Sequence, residues 1–314
     1  MTGRVSRIAT AALLATVAIL MSGCSFAGPQ PADTATGPAT PTPTPTASVV
    51  TGLPYAPASP AGTSGHLLDL YLPAPSGRPA PVVLWTGGSA WRADDGGKTA
   101  LMLAEVLNPE GYAVVGVNVR ASSQARFPAQ RNDLAAAIRY LTSVGARYGL
   151  DTDRMVVSGD SSGGWAALQA GLTGQPVKAV VAFYPPTDFA TFDAQLAACR
   201  PGGAGSIMCM TNRGSPIAAE LGCVMPACPP ARLADASPVT HVDAGDPPVL
   251  LFHGMRDDVV PYQQSVELAN RVTRAGGSAQ LVLASQLGHA TAQDILDDAG
   301  DRSLLLDFLA DAVR

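Results

Sequence analysis

A serine set among glycines, Gly159-Asp160-Ser161-Ser162-Gly163-Gly164, is the arrangement in this chain with the plainest chemical potential. It follows a short apolar run, Met155-Val156-Val157, and leads into Trp165-Ala166-Ala167-Leu168, which reads as strand, sharp turn and helix. Gly-x-Ser-x-Gly at such a junction presents the serine hydroxyl as a nucleophile. The turn packs so closely that side chains at Gly159 and Gly163 would collide with their neighbours. Ser161 then takes a sparsely populated backbone conformation, at a cost of about 1–3 kcal/mol, which lifts its hydroxyl clear of the sheet. The helix opening at Ser162 directs free N–H groups at the same point, where a negative oxygen forms during attack on a carbonyl. A Gly/Ser turn without chemistry is the competing interpretation; the strand before the motif and the helix after it weigh against that.

A serine hydroxyl is a poor nucleophile without a base. Four histidines are available: His66, His241, His253 and His289. The turn resembles the nucleophile elbow of α/β-hydrolases, and that resemblance implies an acid and then a histidine following the serine in the chain. His66 precedes the serine, and His241 precedes the acid candidates. His253 closes a buried apolar run, where it is expected to pack or bond locally. His289 lies in Gln286-Leu287-Gly288-His289-Ala290, just after the final strand, in a loop that reaches the carboxyl edge of the sheet. It is the expected base. The acid belongs just past the penultimate strand, where it would hold the imidazole in one tautomer and stabilise the imidazolium. Asp257 and Asp258 both stand there, and spacing alone does not separate them.

These groups need a frame. Apolar runs without alternation at 81–86, 112–119, 179–183 and 247–252 predict buried parallel strands, and 66–72 and 279–283 predict two more. Helical spacing appears at 99–107, 128–148, 263–275 and 303–313. Strands alternating with helices predict an α/β fold with a mostly parallel sheet covered on both faces. One stretch, about 185–245, breaks the alternation. It is rich in Pro, Gly, Ala and Cys, lies on the side where the serine turn opens, and is a candidate cap over the pocket. With so little periodicity it is expected to contribute little core of its own.

The first residues have the pattern expected of an export signal. Arg4 and Arg7 precede an apolar stretch, Ile8 to Leu20, that falls short of the ~20 residues needed to span a bilayer. Met21-Ser22-Gly23-Cys24 closes it and resembles a bacterial lipobox, which implies cleavage before Cys24 and a diacylglyceryl group on its sulfur. Residues 1–23 are thus the expected signal peptide. Residues 24–60, with Pro41-Thr42-Pro43-Thr44-Pro45-Thr46, are an expected tether with too few large apolar residues to fold. Residues 61–314 are the expected folded domain. Such a chain is expected to work outside the cytoplasm, held to the membrane by its lipid. Cys199, Cys209, Cys223 and Cys228 all fall in the insert, and an even number in an exported chain points to two disulfides. Of the three connectivities we favour the local one, Cys199–Cys209 and Cys223–Cys228. A metal site is the rival, but no histidine lies among these cysteines. The formal net charge is −5 and no basic patch appears, which argues against nucleic acid as a partner.

Several motifs together carry a family resemblance. His253-Gly254-Met255-Arg256-Asp257-Asp258-Val259-Val260-Pro261 resembles the His-Gly-x-x-Asp-x-x-Val-Pro segment of many α/β-hydrolases. Phe127-Pro128-Ala129-Gln130, Tyr148-Gly149-Leu150-Asp151 and Ser237-Pro238-Val239 are similar to secreted carboxylesterases of the feruloyl-esterase-like and hormone-sensitive-lipase-like group. The resemblance covers about residues 65–313. It implies the α/β-hydrolase fold, Asp257 as the acid, and oxyanion donors at Gly88, Ser89 and Ser162. It also implies carboxylic ester hydrolysis of a small-molecule or glycan-linked substrate, with no cofactor. A prolyl-oligopeptidase-type peptidase shares the fold and triad, and a binding protein on the same scaffold is the reading from another class. In one respect the chain departs from the group. Thr86-Gly87-Gly88-Ser89-Ala90-Trp91 has Gly87 where a histidine usually braces the oxyanion loop, and that loss is expected to loosen it.

Overall fold

Strands covered on both faces must be apolar on both, and the uninterrupted runs of Val, Leu, Ala and Phe meet that demand. The computed structural model describes residues 47–314. Cys24, the leader before it and the Pro/Thr repeat lie outside the described residues. Eight strands form one sheet: β1 (Ser48–Pro54), β2 (Leu67–Leu72), β3 (Ala80–Thr86), β4 (Ala113–Val117), β5 (Leu150–Asp160), β6 (Ala179–Phe183), β7 (Val249–Gly254) and β8 (Ala279–Ala284). Their spatial order is β1-β2-β4-β3-β5-β6-β7-β8. β1 and β2 run antiparallel, and the pairs from β4 onward are parallel. This is the mostly parallel sheet of the α/β-hydrolase fold.

Alternate residues of one strand serve opposite faces. In β3, Val82 and Leu84 enter one apolar cluster, while Val83 and Trp85 enter the other. Helices α2 (Ala129–Val144), α3 (Ser162–Leu172) and α7 (Gln263–Arg274) cover the first face. Helices α1 (Ala100–Leu107), α8 (Ala292–Asp297) and α9 (Ala299–Ala312) cover the second. The chain leaves β3 for β4 on one side and later enters β5 on the other side of β3. The carboxyl ends of β3 and β5 therefore flank a crevice at a topological switch point, where ligands bind in open α/β sheets.

Two expectations need correction. The tether was expected to reach about Pro60, yet Ser48–Pro54 is a strand paired with β2. Its Val-Val-Thr core suits a pleated edge, and Gly52 N–H bonds Asp69 Oδ1 at 2.7 Å. The insert, expected to hold little core, forms short helices α4 (Phe192–Gln195), α5 (Pro216–Leu221) and α6 (Pro230–Ala236). Phe189, Phe192, Met210, Ile217, Leu221 and Leu233 from this stretch join the first apolar cluster. Prolines and glycines hide its periodicity, because each short helix offers only one or two anchors per turn. Both disulfides are present with the local connectivity, Cys199–Cys209 and Cys223–Cys228.

Candidate active site

The serine turn is closed by backbone contact alone. A Cβ on Gly159 would lie 2.5 Å from Gly163 C and from Thr86 O, and one on Gly163 would run into Thr86 O. Only glycine allows β3, β5 and α3 to approach this closely. Ser161 stands between them at φ 50° and ψ −122°, left-handed for a residue with a side chain. Its N–H bonds Phe183 O at 2.8 Å, which holds the turn against β6.

Three side chains from three strand ends meet here. Ser161 Oγ lies 3.0 Å from His289 Nε2, and His289 Nδ1 lies 2.7 Å from Asp257 Oδ2. A carboxylate only accepts, so His289 carries its proton on Nδ1 and leaves Nε2 to accept from the serine hydroxyl. Gly254 brings the two loops together. A Cβ there would lie 2.6 Å from Gly288 O, and the N–H of Arg256 bonds Leu287 O at 2.9 Å.

Asp257 is buried and Asp258 is exposed. Asp257 Oδ1 accepts from the N–H groups of Val259 and Val260 at 2.9 and 2.8 Å. Its Oδ2 faces a second histidine as well: His253 Nε2 is 3.4 Å away. His253 is fully buried, with Nε2–H donated to Val260 O at 2.9 Å and Nδ1 2.7 Å from the Ser265 hydroxyl. Burial alone would raise the Asp257 carboxyl. The two histidines outweigh burial and hold it at about 2.

In the loop after β3 the expected oxyanion donors differ in how they are engaged. Gly88 N–H is committed to Asp160 Oδ1 at 2.7 Å, and Ser89 N–H to Ser162 Oγ at 3.0 Å. Ala90 N–H, by contrast, has no acceptor among the described residues, and Ala90 borders the cleft beside Ser161. Ser162 opens α3, where its N–H is one of the first-turn donors that a helix leaves unpaired. Of the expected donors, Gly88 and Ser89 thus have their N–H groups engaged within the protein, while the N–H groups of Ala90 and Ser162 are left without a partner among the described residues. The loop is also braced without a histidine. Gly87 N–H bonds Gly96 O at 3.1 Å, the Thr99 hydroxyl donates to the same oxygen at 2.9 Å, and Trp85 Nε1–H donates to Thr99 Oγ1 at 2.7 Å. A side chain at Gly87 would break this closure, since its Cβ would sit 2.7 Å from Gly96 O.

With this geometry in view, the comparisons with known proteins are decisive at the family level. The BD-FAE family model matches residues 68–272. The chain belongs to the BD-FAE family. Among its relatives, a probable carboxylic ester hydrolase of Mycobacterium tuberculosis, LipM, is 30% identical over 200 residues, covering 59% of this chain and 43% of LipM. The esterase LipC of the same organism is 26% identical over 230 residues, covering 71% of this chain and 55% of LipC. The chain thus spans about half the length of these curated relatives. A solved structure described as a truncated carbohydrate esterase from gut microbiota superposes with a TM-score of 0.73 at 29% identity, covering 87% of this chain and 99% of the other.

In this BD-FAE chain the cleft over Ser161 has a volume of about 230 Å3 and is walled by Trp91, Pro186, Met208, Val259 and Val260. Met208 comes from the insert, beside the Cys199–Cys209 bridge, so the insert does border the site. Sequence reasoning passed over three residues here. Asp160 stands in the glycine motif as its variable position, yet its Oδ2 accepts from the Tyr184 hydroxyl at 3.1 Å while Oδ1 accepts from Gly88 N–H in the loop after β3. Burial raises the Asp160 carboxyl against the pull of those two donors. Tyr184, at φ 40°, sets its ring edge-on to the His289 imidazole, 4.8 Å between centroids. Ala90 carries no side-chain signal, because what it offers the cleft is a backbone N–H.

Proposed function

We propose that this protein hydrolyses carboxylic esters through a covalent acyl-enzyme, with Ser161 as nucleophile, His289 as base and Asp257 as acid. The continuous bonding line Ser161 Oγ to His289 to Asp257, at 3.0 and 2.7 Å, carries the reading. Ser161 Oγ attacks the ester carbonyl as His289 Nε2 takes its proton. The carbonyl oxygen, now negative, is received by the N–H groups of Ala90 and Ser162, and Asp257 steadies the imidazolium. The C–O bond to the alcohol breaks as His289 returns the proton to the leaving oxygen. Water then attacks the acyl carbon with His289 again as base, and the acid departs with Ser161 regenerated. Family membership and relatives named as esterases support this chemistry.

The small cleft, with the insert on its rim, favours a compact acyl group joined to a small alcohol or to a glycan that extends outward. The leader, Cys24 and the Pro/Thr stretch support the further proposal that the protein works outside the cytoplasm, anchored by lipid on Cys24. Two experiments test these readings. A fluorophosphonate probe should label Ser161 and block release of p-nitrophenol from p-nitrophenyl acetate; no label and no turnover would remove the enzyme reading. A fatty-acid probe should label wild type and not Cys24→Ser, and an unlabelled wild type would remove the anchor.

A further inference from the structure

The hydroxyl of Ser162 has no part in the chemistry just described, yet it is buried and accepts two backbone N–H groups. Ser162 Oγ accepts the N–H of Ser89 at 3.0 Å and that of Trp91 at 3.4 Å. These two groups flank Ala90, whose own N–H is unengaged among the described residues. The chain makes an unusual bend here. Ala90 and Trp91 have φ values of 51° and 56°, two successive residues with side chains in the left-handed region. Residues with side chains rarely stay in that region unless their surroundings over-determine it. Successive N–H groups in such a bend converge into a concavity that receives an anion.

Two anchors hold the bend. One is the Trp91 ring, buried edge-on to Trp165 with centroids 5.4 Å apart, and near Phe189 of the insert at 6.1 Å. The other is the Ser162 hydroxyl. The ring fixes where the bend ends; the hydroxyl fixes how the N–H groups within it are allotted. By taking the outer two it leaves the middle one for the substrate.

We infer that the Ser162 hydroxyl is a positioning group for the oxyanion hole: it clamps the Ser89 and Trp91 N–H groups and so presents the Ala90 N–H opposite the N–H of Ser162 itself. One residue then supplies one donor through its backbone and aims the other through its side chain. A hole held in this way needs no rearrangement when charge develops, which is where such donors gain their effect. The inference rests on the ester-hydrolase reading for its kinetic consequence, but its structural content can be tested separately.

The test is Ser162→Ala in the full chain, which deletes the acceptor and keeps the backbone N–H. With p-nitrophenyl acetate, kcat is expected to fall about tenfold to a hundredfold, below the loss of a whole donor, with KM changed less than about threefold. The inhibition constant of a trifluoromethyl ketone, which forms an oxyanion on the serine, should rise by the factor that kcat/KM loses. A defect of folding alone would not produce this split. In parallel, amide hydrogen exchange at Ser89 and Trp91 should be slow in wild type and accelerate in the variant, with other core amides unmoved. If Ser89 N–H were the true donor, removing its competitor would leave kcat unchanged or raise it, and the inference would be overturned. Unaltered exchange at both amides would overturn it as well. Should wild type show no turnover, the ester-hydrolase reading fails, and the exchange measurement alone decides for or against the clamp.

Discussion

The oxyanion loop after β3 and the insert between β6 and β7 are both irregular, and both border the same cleft, but they are secured by different means. The loop is pinned through its backbone. Gly87, Gly88, Ser89 and Trp91 each give an N–H to a fixed acceptor, and the bend carries two left-handed residues. The insert is held by apolar anchors, two disulfides and its contact with α3, where Trp165 Nε1–H and Gln169 Nε2–H both donate to Ala236 O at 2.7 and 2.8 Å. The difference follows from what each must do. A group that meets developing charge has to be aimed to within a fraction of an ångström, which directional bonds achieve. A group that shapes access needs only to stay in place, and burial suffices. Changes along the strand-end line should therefore alter turnover with little effect on stability, and changes in the insert should do the reverse.

The sharpest way to break this contrast is Ser161→Ala. We expect loss of ester turnover on the order of 10⁴-fold or more with the thermal midpoint unchanged or raised, since the strained serine loses its hydroxyl and no packing. Residual turnover within tenfold of wild type would move the nucleophile elsewhere. Next comes a paired measurement on the adjacent carboxyls. Asp257→Asn should lower kcat about 10⁴-fold, as the equivalent change does in a serine protease, while the exposed Asp258→Asn should stay within about twofold, in keeping with a surface site. Equal losses at the two positions would refute the assignment of Asp257.

The insert predicts the opposite pattern. Replacing Cys199 and Cys209 together by serine frees a loop with a sequence separation of 10. Chain entropy puts the cost at about 2–3 kcal/mol of stability, read as a lower denaturant midpoint. Because Met208 adjoins this bridge, KM for bulky esters should rise more than KM for acetyl esters. A kcat loss of equal size for both substrates would place the bridge in the catalytic machinery and remove the contrast.

The last expected effect is read as a pH dependence and concerns Glu220 on α5, which is fully buried with both carboxyl oxygens unpartnered among the described residues. Burial, with the Asp133 carboxylate adding to it, raises its pKa to about 9 from an ordinary 4.5. Between those values the folded protein holds a proton that the unfolded chain has released, so the contribution of this group to stability declines as pH rises from about 4.5 to about 9. Glu220→Gln keeps the shape and removes the titration. Its thermal midpoint relative to wild type should be higher at pH 8 than at pH 5; a difference independent of pH would show that Glu220 is ionised in the folded state.

The parallel strands, the serine turn and His289 could be read from residue order because their signals are local: an apolar run, a glycine on each side of a serine, a histidine just past a strand. What stayed hidden is contact between distant segments. Nothing in Gly88 says that its N–H belongs to Asp160, 72 residues on, or that Ala90 is left unengaged. The resemblance favoured Asp257 over Asp258, and their unequal burial now supplies a physical reason. β1 was missed because a Pro/Thr-rich stretch adjoins it and its own residues are mostly exposed, so only the ladder with β2 marks it as a strand. The helices of the insert were missed for the converse reason: their apolar residues are anchored by tertiary contact rather than by a sustained period.

The bonding line at the cleft joins residues far apart in the chain: 128 positions separate Ser161 from His289, and 32 separate Asp257 from His289. Contacts of such high sequence separation are the slow ones to form, because loop closure must be completed before they contribute. β8 must dock on β7 before His289 reaches Ser161, and the order of the sheet puts that docking at its far margin. Activity in this molecule is therefore a late reporter of folding. In a refolding experiment, far-ultraviolet ellipticity should recover first and ester turnover last, in step with the docking of the final strand.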